Sequence, residues 1–137
     1  MKDKDRILLE KTERLRDELR YLKDNKNRFL KGLNSSIDIK KIVERSVYLC
    51  CEMILDISDL LIVKQGFSKP LTYGEIIYKL GENKIIPEDF AYKFVYVAGL
   101  RNFLSHDYVK DSVVELKRFL KIGIQDAEKF LDFIQSG

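Results

Sequence analysis

The sequence predicts an all-α, single-domain bundle of about five helices, and three observations carry that prediction. Apolar residues recur every three or four positions through most of the chain, the period of a helix buried along one face. No stretch alternates apolar and polar residues as a half-buried strand would. The punctuation is helical: capping-box pairs open segments, and Gly or Pro closes or follows them. The chain has 137 residues, with no internal repeat and no linker long enough to divide it, so one domain over residues 1–137 is expected.

The first helix is read over residues 4–32, where Leu8, Leu15, Leu19, Leu22 and Phe29 fall at helical spacing among charges. Gly32 is its expected end, and Asp38, after the polar break at 34–38, is the expected N-cap of the next helix. Residues 39–65 are apolar on more than one face (Val43, Val47, Met53, Ile54, Ile57, Leu61), the mark of a central, buried helix. A narrow polar stripe runs along it through Arg45, Glu52, Asp56 and Asp59, separated by 7, 4 and 3 positions. Gly66 is a natural stop, with Pro70 beyond it. Thr72 and Glu75 form a T-x-x-E capping box for a short helix that Gly81 ends. Pro87, Glu88 and Asp89 suit the first turn of a fourth helix carrying Phe90, Phe94, Val97 and Leu100 to about Leu104. Ser112 and Glu115 read as a second capping box, opening a last helix through Phe119, Leu120, Ile124, Ala127, Phe130, Leu131 and Ile134.

Composition then narrows the function. The longest run free of Asp, Glu, Lys and Arg is the seven residues Phe94 to Leu100, whereas a membrane span needs roughly 20 apolar residues. The N-terminus has no apolar stretch of signal-peptide length, and Cys50 and Cys51 are neighbours that cannot form a disulfide framework, so a reducing, cytoplasmic location is the default expectation. Both cysteines lie mid-helix on an apolar element, where a core role is expected of at least one. Gly-rich phosphate loops and Cys–His metal spacings are absent. Residues 1–34 hold eleven Lys/Arg against seven Asp/Glu within a chain of net charge +3, a mildly basic segment that reads as a solvated helix face. There is one histidine, His106, so no site needing two histidines from one chain can form. Histidine is also the side chain whose charge changes near neutral pH, which makes His106 the first candidate for acid–base chemistry.

The segment Leu100-Arg101-Asn102-Phe103-Leu104-Ser105-His106-Asp107-Tyr108 gathers Arg, Asn, Ser, His, Asp and Tyr at a helix end. RNA phosphodiester cleavage needs a base for the 2′-OH, an acid for the leaving 5′-oxygen and a cation for the phosphorane. Histidine suits either of the first two roles and the arginine fork suits the third. Five helical positions rotate by about 140°, so Arg101 and His106 can address one phosphate only if the helix loosens near Ser105. Asn102 and His106 are four apart, within contact of each other while the helix lasts. The alternative for His106 is a helix-end histidine bonding local carbonyls, and for Tyr108 an amphipathic side chain packed at that end. The stripe likewise has two readings. Its carboxylates are either a solvated helix edge or, through Glu52 first, a group that orients Arg101 or His106.

Arg101-Asn102-x-x-x-His106-x-Tyr108 at the end of a fourth helix resembles the signature of the HEPN superfamily, and more narrowly the R-x4-H-x-Y of HepT toxins. Val43-Glu44-Arg45 with Glu52 and Asp56-Ile57, the Pro70, Leu71 and Tyr73 positions, and the apolar last helix resemble the same family, so the likeness spans about residues 5–135. The resemblance implies an all-α homodimer, open to further assembly, acting as a ribonuclease without metal or other cofactor. It implies a MntA-type nucleotidyltransferase antitoxin as partner, which spends ATP to place AMP on Tyr108. Carried over, Arg101 and His106 are the catalytic pair and Asn102 a supporting residue. A lone histidine fits a dimer in which two copies of His106 share one cleft. The rival reading is a non-catalytic HEPN module that binds nucleotide or docks a nucleotidyltransferase.

Overall fold

The computed structural model describes residues 3–68, 70, 72–106 and 111–136. Helices in chain order are α1 (Asp3–Asp24), α2 (Lys26–Gly32), α3 (Ile37–Lys64), α4 (Tyr73–Glu82), α5 (Glu88–Phe94), α6 (Tyr96–Ser105), α7 (Val113–Arg118) and α8 (Ile124–Ser136), with a π-helical turn at Phe119–Gly123 joining the last two. Three of the five expected helices are therefore interrupted. At Asn25 the side chain competes with the helix: its Nδ2 donates to the Tyr21 carbonyl (2.9 Å) and its Oδ1 accepts from Arg28 (3.1 Å). At Val95 the ladder tightens, because the Ala98 N–H donates to the Val95 carbonyl (3.0 Å), three residues back. At Phe119–Gly123 the wider turn lets Phe119, Leu120 and Gly123 all be buried.

The bundle is organised around α3, a 28-residue helix about 42 Å long. Its buried residues, Val43, Val47, Cys50, Cys51, Ile54, Leu55, Ile57 and Ile62 among them, face several directions, and α1, α2, α4, α6 and α7 pack on it. Both cysteines are core residues, and burial pushes both thiols well above their ordinary range, which leaves them unreactive. Leu15, Leu19 and Leu22 of α1 and Phe29 of α2 fill the space beside α3. An aromatic group closes the far side, where Phe94 stacks on Phe90 (4.9 Å between centroids) and on Phe130 of α8 (5.4 Å). Among the described residues no helix is long and apolar enough to cross a membrane.

The termini test the expected caps. Thr72 Oγ1 accepts from the Glu75 N–H (3.2 Å), as the capping box requires. At the end of α3 the Gly66 N–H donates to Val63 O (3.0 Å) and the Phe67 N–H to Ile62 O (3.1 Å), with Gly66 at φ +80. That is a Schellman cap, and the positive φ is why glycine stands there. Three expectations are corrected. Ser36, not Asp38, caps α3, accepting from the Ile39 N–H (3.2 Å) through Oγ, while Asp38 sits within the first turn as the second helical residue. Gly81 does not end α4, which runs on to Glu82. A Cβ there would lie 2.6 Å from that of Ala91, so the glycine allows α4 and α5 to approach. Ser112 makes no capping bond. Fully buried, its hydroxyl donates to Glu44 Oε2 (2.7 Å), and Asp111 Oδ1 takes the Val113 N–H (3.2 Å) instead. The two N-terminal corrections share a pattern: sequence spacing finds the helix start, while the fold chooses which neighbouring hydroxyl or carboxylate serves it.

Candidate active site

Val97, Ala98, Leu100 and Leu104 are the buried residues of α6, and α6 packs on α3. That packing turns Arg101, on the flank of α6, toward the polar edge of α3. The Arg101 Nε donates to Glu52 Oε1 and Nη2 to Glu52 Oε2, both at 3.3 Å, a two-pronged ion pair. Nη1 donates to Asn102 Oδ1 (3.2 Å). Tyr48, one turn before Glu52 on α3, donates its hydroxyl to Glu52 Oε2 (2.6 Å). The guanidinium carbon also lies 4.7 Å from the ring centre of Tyr73 and 5.7 Å from that of Tyr48, so two aromatic rings help to fix its position.

The electrostatics follow from this arrangement. The Arg101 and Glu52 side chains are only 22 % and 26 % exposed. Burial by itself would raise the Glu52 carboxyl, but the hydrogen bonds from Tyr48 and Arg101 and the guanidinium charge outweigh it and hold the carboxyl below its ordinary value. Burial likewise works against the Arg101 cation, and Glu52 more than restores it. The Tyr48 hydroxyl is raised, first by its bond to Glu52 and then by burial. The result is a permanently charged, oriented arginine. An arginine has five N–H donors, and three are engaged here. Among the described residues nothing takes the other two, which leaves them for an incoming oxyanion.

His106 is the residue on which α6 ends. It has φ −124 and ψ 33, and its N–H donates to the Phe103 carbonyl (3.2 Å). The helix thus stops where Arg101 and His106 would have to depart from helical geometry to share a ligand. The His106 side chain is exposed, and among the described residues its ring has no hydrogen bond to Arg101, Asn102 or Glu52. Asn102 is exposed and also tethers the helix end, since its carbonyl accepts from Ser105 Oγ (2.8 Å). Tyr108 and Asp107 lie outside the described residues. The structure therefore brings Arg101, Asn102 and Glu52 together with His106 at the adjoining helix end.

The stripe on α3 divides. Glu52 serves α6, whereas Asp56 pairs with Lys11 of α1 (3.3 Å). Among the described residues no group of three His, Cys, Asp or Glu side chains is placed to hold a metal ion. Sequence reasoning missed Tyr48 and Tyr73 as parts of the site. Tyr48 carries a usable signal, because it stands four before Glu52 on the same helical face. Tyr73 carries none, since it meets Arg101 only through the packing of α4 beside α6.

Comparison with known proteins places the chain in a family. The family model described as "Ribonuclease HepT-like" matches residues 8–135. The chain belongs to the HepT-like family. It is 32 % identical to a tRNA nuclease HepT of Aphanizomenon flos-aquae over 90 residues, 66 % of this chain and 61 % of that protein. It is 25 % identical to an mRNA nuclease HepT of Shewanella oneidensis over 87 residues, 64 % of this chain and 65 % of the relative. Either match spans less than two thirds of the relative's length. The fold is that of a tri-AMPylated Shewanella oneidensis HEPN toxin solved in complex with its MNT antitoxin, with TM-score 0.79, 19 % identity and full coverage of both chains. The all-α fold is the one that the sequence resemblance implied.

Proposed function

We propose that this chain is a ribonuclease toxin of the HepT kind, a metal-independent endoribonuclease that cleaves RNA by attack of the 2′-OH. The observation that carries the reading is the Glu52-oriented Arg101 at the end of the helix that His106 terminates. In the step, the 2′-oxygen bonds to phosphorus and loses its proton to a base. The 5′-oxygen departs and takes up a proton from an acid, leaving a 2′,3′-cyclic phosphate and a free 5′-hydroxyl. The two unengaged donors of Arg101 neutralise the phosphorane oxygens. One His106 cannot be base and acid in the same step. In a two-fold dimer two copies line one cleft, one taking the proton and the other supplying it. Asn102, bonded to Nη1, steadies the arginine, and Glu52 acts as a positioning residue.

The reading includes the partner. A MntA-type nucleotidyltransferase, using ATP, places AMP on Tyr108, and the added bulk and negative charge exclude an RNA phosphate from the cleft. The structurally similar toxin, tri-AMPylated and bound to its MNT antitoxin, supports that regulation. A nuclease of this kind, acting on tRNA or mRNA as its relatives' names state, works in the cytoplasm.

Expression of the chain by itself is the test. Wild type arrests growth and degrades cellular RNA, and Arg101→Ala and His106→Ala each lower cleavage by about 10² to 10⁴ while staying folded. If wild type and variants are equally harmless and none cuts RNA, the chain is a binding module. Mixed dimers of wild type and His106→Ala test the shared cleft, and half of wild-type activity or more per mixed dimer refutes it.

A further inference from the structure

On the N-terminal side of Glu52, α3 carries two cations, Lys41 and Arg45, that the catalytic reading does not use. Lys41, Arg45, Tyr48 and Glu52 recur at intervals of 4, 3 and 4 and so share one face of the helix. Lys41 and Arg45, with Glu44, Tyr48, Leu104 and Ser105, line a groove of about 410 Å³. Its α6 wall is the last two residues before His106, so the groove opens beside the candidate active site. Both cations are exposed, and among the described residues neither has a carboxylate partner. Of the charges around them, Lys40 pairs with Asp111 (3.5 Å) and Glu52 is bound to Arg101, while Glu44 accepts from the neutral Ser112 hydroxyl and keeps its charge, so that two cations face one carboxylate in the groove. Arg45 stands 5.8 Å from the centre of the Tyr48 ring, the same ring that Arg101 approaches at 5.7 Å. The tyrosine therefore links the two arginines into one row.

We propose that Lys41 and Arg45 form a phosphate track that holds the RNA backbone on one side of the scissile bond. The proposal rests on the nuclease reading above and adds to it the direction in which the strand leaves the site. Along the helix axis Arg45 lies about 10 Å, and Lys41 about 16 Å, from the level of Glu52. A strand whose scissile phosphate meets Arg101 runs its neighbouring phosphates past these two side chains in turn. Phosphate contacts carry no base information, so the track raises affinity for any sequence and leaves sequence preference to other surfaces.

Binding of a labelled single-stranded RNA to full-length protein carrying His106→Ala, which keeps the RNA uncut, tests the track. For single strands, log affinity falls with log salt by about 0.7 per phosphate contact. Adding Lys41→Ala and Arg45→Ala lowers that slope by about 1.4, so the parent loses about sevenfold more affinity than the variant between 50 and 200 mM salt. The loss is equal for RNAs of different sequence. Lys93→Ala with Lys129→Ala removes the same charge from a different groove, beside Pro87 and Phe133, and leaves the slope unchanged. An unchanged slope in the Lys41/Arg45 variant overturns the track while RNA cleavage by wild type keeps the nuclease reading intact. An equal fall in the control pair also overturns it, because the effect is then one of net charge. Wild-type protein that neither binds nor cuts RNA overturns the nuclease reading and the track together.

Discussion

Replacing Glu52 with glutamine keeps the side chain's size and an acceptor oxygen but removes the charge that holds Arg101. The pair is two-pronged at 3.3 Å, and each partner is about three-quarters buried. Fully exposed pairs are worth about 0.2–1 kcal/mol, and hydrogen bonds to charged groups about 1.5–3 kcal/mol. Partial exposure puts the Glu52–Arg101 coupling between these, at about 1–2 kcal/mol. For a chain of this size that lowers Tm by about 3–7 °C. A double-mutant cycle with Arg101→Met, followed by thermal unfolding, isolates the coupling from the loss of either side chain's packing.

The pH dependence gives the same prediction a second edge. Burial opposes ionisation of Glu52, but the Tyr48 and Arg101 bonds prevail, and the native carboxyl titrates below its ordinary value of 4.5. Its contribution is therefore fully present above that value and is lost as pH falls through the lower native one. The Tm gap between wild type and Glu52→Gln is widest near neutral pH and closes in acid. A coupling energy near zero, or a gap that stays the same from neutral pH to about pH 3, refutes the claim that Glu52 holds Arg101 through charge. On the proposed nuclease function, the same variant lowers kcat for RNA more than it raises KM, because a misaligned arginine fails the phosphorane more than the ground state.

Two further substitutions probe the frame around the site. Gly81→Ala drives a methyl group against Ala91 at 2.6 Å and destabilises the α4–α5 contact by about 1–3 kcal/mol, measured by chemical denaturation. Ser112→Ala leaves the half-buried Glu44 carboxylate without its hydroxyl donor and costs about 1–2 kcal/mol, whereas loss of the capping box that the sequence suggested would cost no more than Asp111→Ala does. Measuring both side by side distinguishes the two roles.

Much of the architecture was legible because helix formation is written in nearest-neighbour spacing. The 3–4 periodicity of Leu15, Leu19 and Leu22, the all-round apolar character of α3 and the Thr72–Glu75 box each report on residues within a turn of one another. The interruptions at Asn25 and Val95 and the π-helical turn at Phe119 were not, since each trades a regular ladder for better local bonding or burial that periodicity does not encode. Gly81 shows the same limit: a glycine near a helix end reads as a stop, and only the approach of α5 reveals it as a spacer.

The candidate site divides in the same way. The sequence by itself determined that one histidine stands five residues after an arginine at a helix end, and that Glu52 lies on a polar stripe. It left open whether that stripe met solvent or the arginine. Only the packing of α6 on α3 decided the matter, because residues 49 positions apart in the chain meet through the burial of the apolar residues of α6, and that burial aims Arg101 at Glu52 and toward the rings of Tyr48 and Tyr73. Spacing along one helix fixes which side chains share a face. Which other helix that face meets is set by the collective fit of the core, and no local pattern contains it.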